Sequence, residues 1–429
     1  IAIIIDNPKR DLPVLCRISE NLIKYGVVNK ILLVPFYNLK NFLVSDTFLK
    51  TKLIIFNYLR KNNTEVVKFC KSKSIKVVIY DQEGAPGPKA NRINETLSYC
   101  RDYIKYIDGY FFFGNWQKKL AISKFNFIGN TPVVGFLRHL QKKNKKKKDR
   151  YILFNSNFGF FPKYSYSKKD FYDSISMGFK SDANITYQKK YDILFKRRAK
   201  FINTIKNIVS KNPKKNFLLR PHPYEEIKIY KDLIINCPNL KLDTSSNSIE
   251  SINNCKLLIH LDCTTAVEAF FLKKPVISLK YILDKNDQNM YFKISHHIGL
   301  LAKNENEVIE LIKKNNLRNK NLFRCNKKII SEIFGNQSSI SNFVSEIKKI
   351  YVKKDKIKSF NTSLDFRTRL ILFLQKFLSK KIYDFFLTLY RGKKVVIARK
   401  DKKFSKKDIF KFLSSSSLKI KKIEQFYLI

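Results

Sequence analysis

The sequence predicts an α/β protein built from two doubly wound parallel sheets, and three observations support this prediction. Short apolar runs of about four to eight residues alternate with stretches of helical spacing through most of the chain, as in strand–helix–strand units. The alternation is interrupted by the charged run QKKNKKKKDR at 141–150. A length of 429 residues also suits two domains and a tail better than one domain.

The first predicted domain covers residues 1–140. Its strands are buried apolar runs, and the stretches between them have helical periodicity. The predicted strands are Ile1–Ile5, Lys30–Pro35, Leu53–Phe56, Lys76–Tyr80, Phe111–Phe113 and Thr131–Gly135, and the predicted helices include Leu12–Tyr25 and Glu65–Lys73. The run at 141–150 has no core residue, so we expect a flexible linker there.

The second predicted domain covers residues 151–350 and repeats the alternation. Its strands are Tyr151–Phe154, Asn216–Leu219, Leu257–Leu261 and Pro275–Leu279, and its helices are Arg197–Ser210, Tyr230–Asn236 and one from about Thr264. Two Rossmann-like domains joined by a linker leave a cleft between them, and ligands bind where parallel strands end. We therefore expect a ligand to meet the carboxyl ends of both sheets.

The remaining segment, 351–429, is a basic tail. Apolar residues recur at helical spacing from Leu370 to Leu389, with Arg and Lys between them. This pattern predicts an amphipathic helix that either packs on the core or lies on the anionic inner face of the cytoplasmic membrane.

Composition narrows the class of protein. The 85 basic and 35 acidic residues give a net charge of +50, which favours anionic partners, although the lysines are widely scattered. Seven cysteines without a CxxC pair argue against a disulfide framework or a cysteine zinc site. No apolar run approaches the ~20 residues that span a bilayer, and no secretory signal is recognisable. We therefore expect a cytoplasmic protein that is peripherally associated with the membrane.

The clearest functional segment is LLIHLDCTTAVEAFFLKKPVISL at 257–279. A strand ends near Asp262, and a helix begins at Thr264 and Thr265, where free N–H groups and hydroxyls suit a phosphate. Glu268 lies one turn further on, where a carboxylate accepts hydrogen bonds from ribose hydroxyls. The alternative is that Thr264 only caps the helix and that Glu268 faces solvent.

The segment NFLLRPHPYEE at 216–226 is the second candidate. Arg220 and His222 follow a strand, and the two prolines stiffen the loop. A guanidinium and an imidazole at this position suit a phosphate leaving group, through charge neutralisation and a proton or hydrogen bond.

Polar residues also follow other strands. In YDQEGAPGP, Asp81, Glu83 and Gly84 form a loop in which a carboxylate can act as general base or nucleophile, unless the loop is only a solvated turn. Asn155, Ser156 and Asn157 open the second domain, and Asp6 and Arg10 follow the first strand. The histidine pattern predicts no metal site, and neither a GxxxxGK[ST] nor a GxGxxG motif is present.

These segments resemble bacterial surface-carbohydrate biosynthesis proteins of the GT-B glycosyltransferase architecture. The likeness covers about residues 1–350 through IIIDNPKRDLP, DQEGAPG, NSNFGF and RPHP, and CTTAVEA followed by KKPVIS is similar to a GT-B donor-nucleotide motif. Asp81-Gln82-Glu83-Gly84 resembles the acidic-acidic-glycine motif of bacterial sialyltransferases. His222-Pro223 is similar to a His-Pro motif that they share with Kdo transferases.

The resemblance implies two domains facing each other across a cleft, and a CMP-activated ulosonic acid as donor. His222 would then contact the CMP phosphate and assist its departure, Thr264 and Thr265 would hold that phosphate, and Glu268 the ribose. Glu83 or Asp81 would be the catalytic carboxylate, and Gln82, where the motif prefers an acid, leaves the choice and the stereochemistry open. Such enzymes generally work without a bound metal or cofactor, on a glycan or glycolipid acceptor.

Two alternatives remain at this stage. One keeps the fold and changes the donor to a UDP-sugar or CDP-glycerol. The other is a basic nucleic-acid-binding protein, although the sequence contains no DNA- or RNA-binding motif and the basic residues are dispersed. A salt series separates these classes, because nucleic-acid affinity falls steeply with salt.

Overall fold

The computed structural model divides the chain into two compact units. It describes residues 1–60, 63–81, 97, 100–127, 129–140, 150–158, 187–223, 225–244, 247–284, 293–335, 339–353, 403–413, 418–423 and 426–429. The first unit takes the described residues within 1–143 and 330–429, and the second takes those within 144–329.

The strands fall into two sheets, one in each unit. The strands are β1 Ala2–Ile5, β2 Leu32–Pro35, β3 Leu53–Phe56, β4 Lys76–Tyr80, β5 Gly109–Phe111, β6 Tyr151–Asn155, β7 Phe217–Arg220, β8 Leu240–Leu242, β9 Cys255–His260, β10 Val276–Ser278, β11 Leu300–Leu301, β12 Lys421–Ile423 and β13 Phe426–Leu428.

Helices cover the sheets and connect the strands. The α-helices are α1 Pro8–Lys24, α2 Leu39–Leu43, α3 Asp46–Leu49, α4 Thr64–Ser72, α5 Asn115–Ile122, α6 Tyr187–Ser210, α7 Lys231–Asn236, α8 Ser248–Asn253, α9 Thr265–Phe271, α10 Glu305–Lys313, α11 Lys327–Phe334, α12 Ile340–Val352 and α13 Lys406–Phe412. Short 3-10 turns lie at Phe36–Asn38, Arg101–Tyr106, Arg138–Leu140, Ile227–Tyr230, Lys280–Ile282, Lys293–His297 and Lys320–Phe323. None of the helices in the described ranges is long and apolar enough to cross a membrane.

The first sheet has the order β12-β13-β2-β1-β3-β4-β5. Strands β1 to β5 pair in parallel, and β1 to β4 are buried along their whole length. Burial on both faces explains why these strands are continuous apolar runs rather than alternating ones. The chain proceeds from β1 to β2 on one side and then crosses to β3 on the other, so the strand order reverses between β1 and β3.

The second sheet has the order β11-β10-β9-β6-β7-β8, and all of its ladders are parallel. From β6 the chain moves outward to β7 and β8, then crosses to β9, β10 and β11, so the reversal falls between β6 and β9. This is the doubly wound topology that the sequence predicts, and the two Rossmann-like α/β domains are confirmed.

The end of the chain differs from the prediction of a domain at 151–350 followed by a helical tail. From Ile330 onward the described residues belong to the first unit, and α12 is held there by Lys76, whose Nζ donates to the carbonyl oxygens of Ile350, at 2.8 Å, and Lys353. Strand β13 adds to the first sheet by pairing antiparallel with β2. Local periodicity does not reveal this return, because the partners lie hundreds of residues apart in sequence.

Other expectations need correction or lie outside the described ranges. In place of the predicted strand Thr131–Gly135, the described residues form one isolated bridge, between Phe112 and Val133. Residues 141–149 of the predicted linker and the predicted amphipathic helix at 370–389 lie outside the described residues.

Candidate functional site

The carboxyl edge of the second sheet brings together the loops that follow β6 and β9. The strand order reverses between these two strands, and open α/β sheets bind ligands at such a reversal. Asn155 Nδ2 donates to Thr265 Oγ1 at 3.0 Å, and Asn157 Nδ2 donates to the carbonyl oxygen of Asp262 at 2.6 Å. Two hydrogen bonds therefore link the NSN and CTT segments.

The start of α9 is built differently from a simple capped helix. The Thr264 side chain makes no capping hydrogen bond, and its backbone is already in the right-handed helical region. Thr265 is buried against Asn155, whereas Thr264 is partly exposed, and Glu268 is only 1% exposed in the first turn. The alternative with a capping Thr264 and a solvent-facing Glu268 is therefore wrong. Because α9 has only seven residues, hydroxyl and backbone N–H groups at its start would contribute more to binding a phosphate than the dipole of a long helix.

A buried carboxylate, which the sequence analysis missed, holds the His222 loop. Glu225 is 1% exposed. Its Oε2 accepts from the His222 backbone N–H at 3.0 Å and from Ser156 Oγ at 2.5 Å, and its Oε1 accepts from the Tyr230 hydroxyl. Burial raises the pKa of Glu225, and these three donors partly offset the shift. The imidazole of His222 is partly exposed, so the loop is fixed through its backbone while the ring stays at the surface.

Arg220 completes this edge at the end of β7. It pairs with Asn155 across the β6–β7 ladder, and its guanidinium lies 4.0 Å from Asp243 Oδ2. Asp243 in turn accepts from Ser251 Oγ at 2.7 Å. Part of the charge of Arg220 is therefore neutralised within the protein.

Two histidines, His260 and His296, pack against each other next to the loop that follows β9. His260 is fully buried, and burial lowers its pKa well below the usual value, with His296 as the second cause. His296 Nδ1 lies 2.7 Å from Ser278 Oγ, and its Nε2 lies 3.6 Å from Asp262 Oδ1. These contacts position Asp262, which the sequence analysis did not single out. No cluster of three potential metal ligands occurs among the residues that the structure describes.

The first sheet carries its own polar cluster where its strand order reverses. Arg10 bridges two carboxylates, with Nη2 at 3.6 Å from Asp6 Oδ2 and Nε at 2.5 Å from Asp11 Oδ1. Asp11 also accepts from the Asn7 backbone N–H at 2.9 Å and from Asn57 Nδ2 at 3.4 Å. The structure thus brings Asp6 and Arg10 together, and it adds Asp11 and Asn57.

Asp81 lies at the end of β4 in the same sheet and is buried. Its charge contributes to raising the pKa of Tyr110 well above the usual value, after burial as the larger cause. Glu83 and Gly84 lie outside the described residues, so the choice of catalytic carboxylate stays a prediction.

Comparison with known proteins adds a family match and a set of similar structures. The family model described as LIC12162 family transferase matches residues 97–290, which is less than half of the chain. No curated protein matches the sequence significantly.

Three solved structures illustrate the structural similarity. A UDP-GlcNAc 2-epimerase from Methanocaldococcus jannaschii, in complex with UDP-GlcNAc and UDP, has 12% identity and a TM-score of 0.47, over 81% of this chain and 99% of that one. The Neisseria meningitidis enzyme bound to UDP-GlcNAc has 11% identity and a TM-score of 0.49, over 82% and 99%. The wall teichoic acid polymerase TagF has 10% identity and a TM-score of 0.47, over 82% and 88%. Structural similarity at such low identity and TM-score does not indicate the activity of this chain. The fold assignment rests on the two sheets described above.

Proposed function

We propose that this chain is a glycosyltransferase that takes a sugar from a nucleotide-activated donor and transfers it to a hydroxyl group of a surface glycan or its lipid-linked precursor. The observation that supports this most is that Asn155, Thr265 and the His222 loop lie together at the carboxyl edge of the second sheet, beside its strand reversal, and are linked through Ser156 and Glu225. The family match to a transferase over residues 97–290 also supports a group-transfer reaction.

In the proposed reaction, the bond between the anomeric carbon and the donor phosphate oxygen breaks as the acceptor oxygen bonds to that carbon. The departing phosphate gains negative charge, which Arg220 and the Thr264 hydroxyl are suited to stabilise. His222 supplies a hydrogen bond or a proton to the leaving oxygen. If the displacement is direct, the proton of the acceptor hydroxyl passes to a carboxylate, for which Glu83 and Asp81 are the candidates. We keep Glu268 as the proposed ribose-binding group.

For the donor we propose a CMP-activated ulosonic acid, supported by the resemblance of DQEG and RPHP to the motifs of transferases that use such donors. A UDP-sugar or CDP-glycerol remains the alternative, because no described contact reports on the base. We further propose that the protein works at the inner face of the cytoplasmic membrane, with the basic segment at 370–389 against anionic lipid.

The test is a donor assay with matched variants. Release of CMP from a CMP-activated sialic acid and from CMP-Kdo is measured beside release of UDP from UDP-GlcNAc, with wild type, His222→Ala and His297→Gln. We expect CMP release that falls by about 10²–10⁴-fold in His222→Ala, the usual effect of a positioned acid–base group, and is unchanged in His297→Gln. Faster release of UDP than of CMP would disprove the ulosonic-acid donor, and equal activity of His222→Ala and wild type would remove His222 from the mechanism.

A further inference from the structure

The first sheet contains a buried side-chain oxygen that lacks a hydrogen-bond partner in the described part of the chain. Asn57 directly follows β3 and is 3% exposed. Its Nδ2 donates to Asp11 Oδ2, and its Oδ1 has no partner among the described residues. Asp11 also accepts from Asn7 and Arg10, so it presents an acceptor to Asn57 and fixes which end of the amide is the nitrogen. The atom left unpaired is therefore the oxygen.

The position of Asn57 suggests why such an oxygen is retained. It lies at the carboxyl end of β3, beside β1, where the strand order of the first sheet reverses. Open α/β sheets bind ligands at this place, and buried polar atoms without partners are rare because each one costs free energy.

The second sheet repeats the arrangement. Asn155 ends β6 at the other reversal and is 1% exposed, and its Nδ2 donates to Thr265 of the helix that follows the neighbouring strand. Its Oδ1 also has no hydrogen-bond partner within the described ranges. Each sheet therefore has an asparagine at its strand reversal whose amide N–H group donates to the adjacent helix and whose oxygen has no partner among the described residues.

The charges around Asn57 limit the kind of ligand. The backbone N–H of Asn7, the residue before α1, already donates to the Asp11 carboxylate, and Asp6 adds a second carboxylate beside the guanidinium of Arg10. Two carboxylates beside the guanidinium of Arg10 make this place less favourable for a phosphate than for a neutral ligand. An unpaired carbonyl oxygen beside carboxylates needs a hydrogen-bond donor, which a neutral sugar hydroxyl provides.

We propose that Asn57 Oδ1 accepts a hydrogen bond from a hydroxyl of a neutral sugar that binds at the strand reversal of the first sheet. If the proposed function is correct, this sugar is part of the acceptor. Naming the sugar as the acceptor therefore rests on the proposed function, whereas the existence of a sugar site at Asn57 does not.

A stability comparison tests the role of Asn57 without knowledge of the acceptor. Asn57→Leu removes the unpaired oxygen but also the 3.4 Å hydrogen bond to Asp11. Because these two effects oppose each other, its midpoint of thermal unfolding is expected to change by less than about 2 °C. Asn63→Leu is the matched control, because Asn63 is equally buried but fully paired, donating to Tyr58 O at 2.7 Å and accepting from Arg60 N at 2.8 Å. Its midpoint is expected to fall. An equal fall in Asn57→Leu would show a structural role and overturn the proposal.

A ligand comparison on the same proteins tests the site directly. Unfolding midpoints of wild type and Asn57→Leu are measured with glucose, galactose and N-acetylgalactosamine, each against sorbitol at equal concentration as an osmolyte control, and with CMP and UDP. We expect at least one sugar to stabilise wild type beyond sorbitol and to lose this effect in Asn57→Leu. If no sugar raises the unfolding midpoint of wild type beyond the effect of sorbitol, the proposal is overturned.

The nucleotide samples separate this site from the proposed function. If CMP and UDP stabilise both proteins and the sugar effect is absent, the Asn57 site is wrong while the glycosyltransferase proposal stands. If the sugar effect appears without a nucleotide effect on either protein, the Asn57 site stands and the proposed function is wrong.

Discussion

Removal of the Glu225 side chain is expected to destabilise the second unit and to disorganise the His222 loop. Glu225→Ala deletes the acceptor of three hydrogen bonds, from His222 N–H, the Ser156 hydroxyl and the Tyr230 hydroxyl. Hydrogen bonds to a charged group contribute about 1.5–3 kcal/mol each, but they are not additive in a shared network. Because the Ser156 and Tyr230 hydroxyls are themselves buried, we expect a total loss of about 3–5 kcal/mol.

The assay is urea unfolding followed by nucleotide binding under native conditions. Glu225→Gln keeps the side-chain volume and one acceptor oxygen, so it should lose about 1–2 kcal/mol. Glu226→Gln is the matched control, since Glu226 accepts only from Lys228 N at 3.3 Å in an exposed turn among its described contacts, and should change stability by less than about 0.5 kcal/mol. Nucleotide affinity should be highest in wild type, lower in Glu225→Gln and lowest in Glu225→Ala. A Glu225→Ala protein as stable as Glu226→Gln would refute the assigned role.

The same carboxylate gives a pH dependence of known sign. Burial raises the pKa of Glu225 above its usual value of 4.5, so the folded state binds its proton more tightly than the unfolded state. Its contribution is fully present below pH 4.5 and is lost as pH rises through the folded-state pKa. The stability of wild type relative to Glu225→Gln should therefore decline from acidic to neutral pH. A difference that grows toward neutral pH would contradict this sign.

Three other variants test separate parts of the account. Thr265→Val removes the hydroxyl that accepts from Asn155, so calorimetry should show nucleotide binding weakened roughly fivefold, for about 1 kcal/mol. Unchanged affinity would exclude this contact between the two loops from the nucleotide site. Lys76→Met leaves the end of α12 without its charged donor, so urea unfolding should show a loss of about 2 kcal/mol, and no loss would contradict the return of the chain to the first unit. Changing Lys376, Lys380 and Lys381 to Glu should lower binding to anionic but not neutral vesicles, and equal binding would favour a helix packed on the core.

For the basic segment, charge reversal is a clearer test than truncation after residue 352, because the end of the chain belongs to the first sheet. Phe426 of β13 is fully buried and packs edge-on against Phe42, with ring centroids 5.5 Å apart. Truncation would remove part of the first sheet, so a loss of membrane binding would have no clear meaning. Charge reversal leaves β13 in place.

The sequence predicts the two sheets well because buried parallel strands appear as continuous apolar runs. Parallel strands also bring their carboxyl ends to the same edge of the sheet, so residues that follow different strands can be grouped from the sequence, and their functional roles stay predictions. Asn155 and Thr265, 110 residues apart in sequence, are brought into contact in this way.

The features that the sequence did not reveal depend on contacts between particular residues, which leave no periodic pattern in the sequence. Strand β13 has three residues and pairs with β2 almost four hundred residues away, so no local pattern marks it as part of the first sheet. Glu225 appeared to be one more polar residue in a loop, and only its burial against Tyr230 shows that it supports His222. Asn57 could not be identified from the sequence for the same reason, because a single asparagine after a strand shows no recognisable pattern until its hydrogen-bond partners are known.

The central claim is that a nucleotide binds at the carboxyl edge of the second sheet beside His222, and calorimetry with CMP tests it most directly. Wild type, His222→Ala and Glu83→Gln are titrated with CMP, and wild type also with UMP and CDP. The account predicts that wild type binds CMP, that His222→Ala binds it more weakly, and that Glu83→Gln binds it like wild type. Binding of CMP that is equal in wild type and His222→Ala, or absent in wild type, would contradict it.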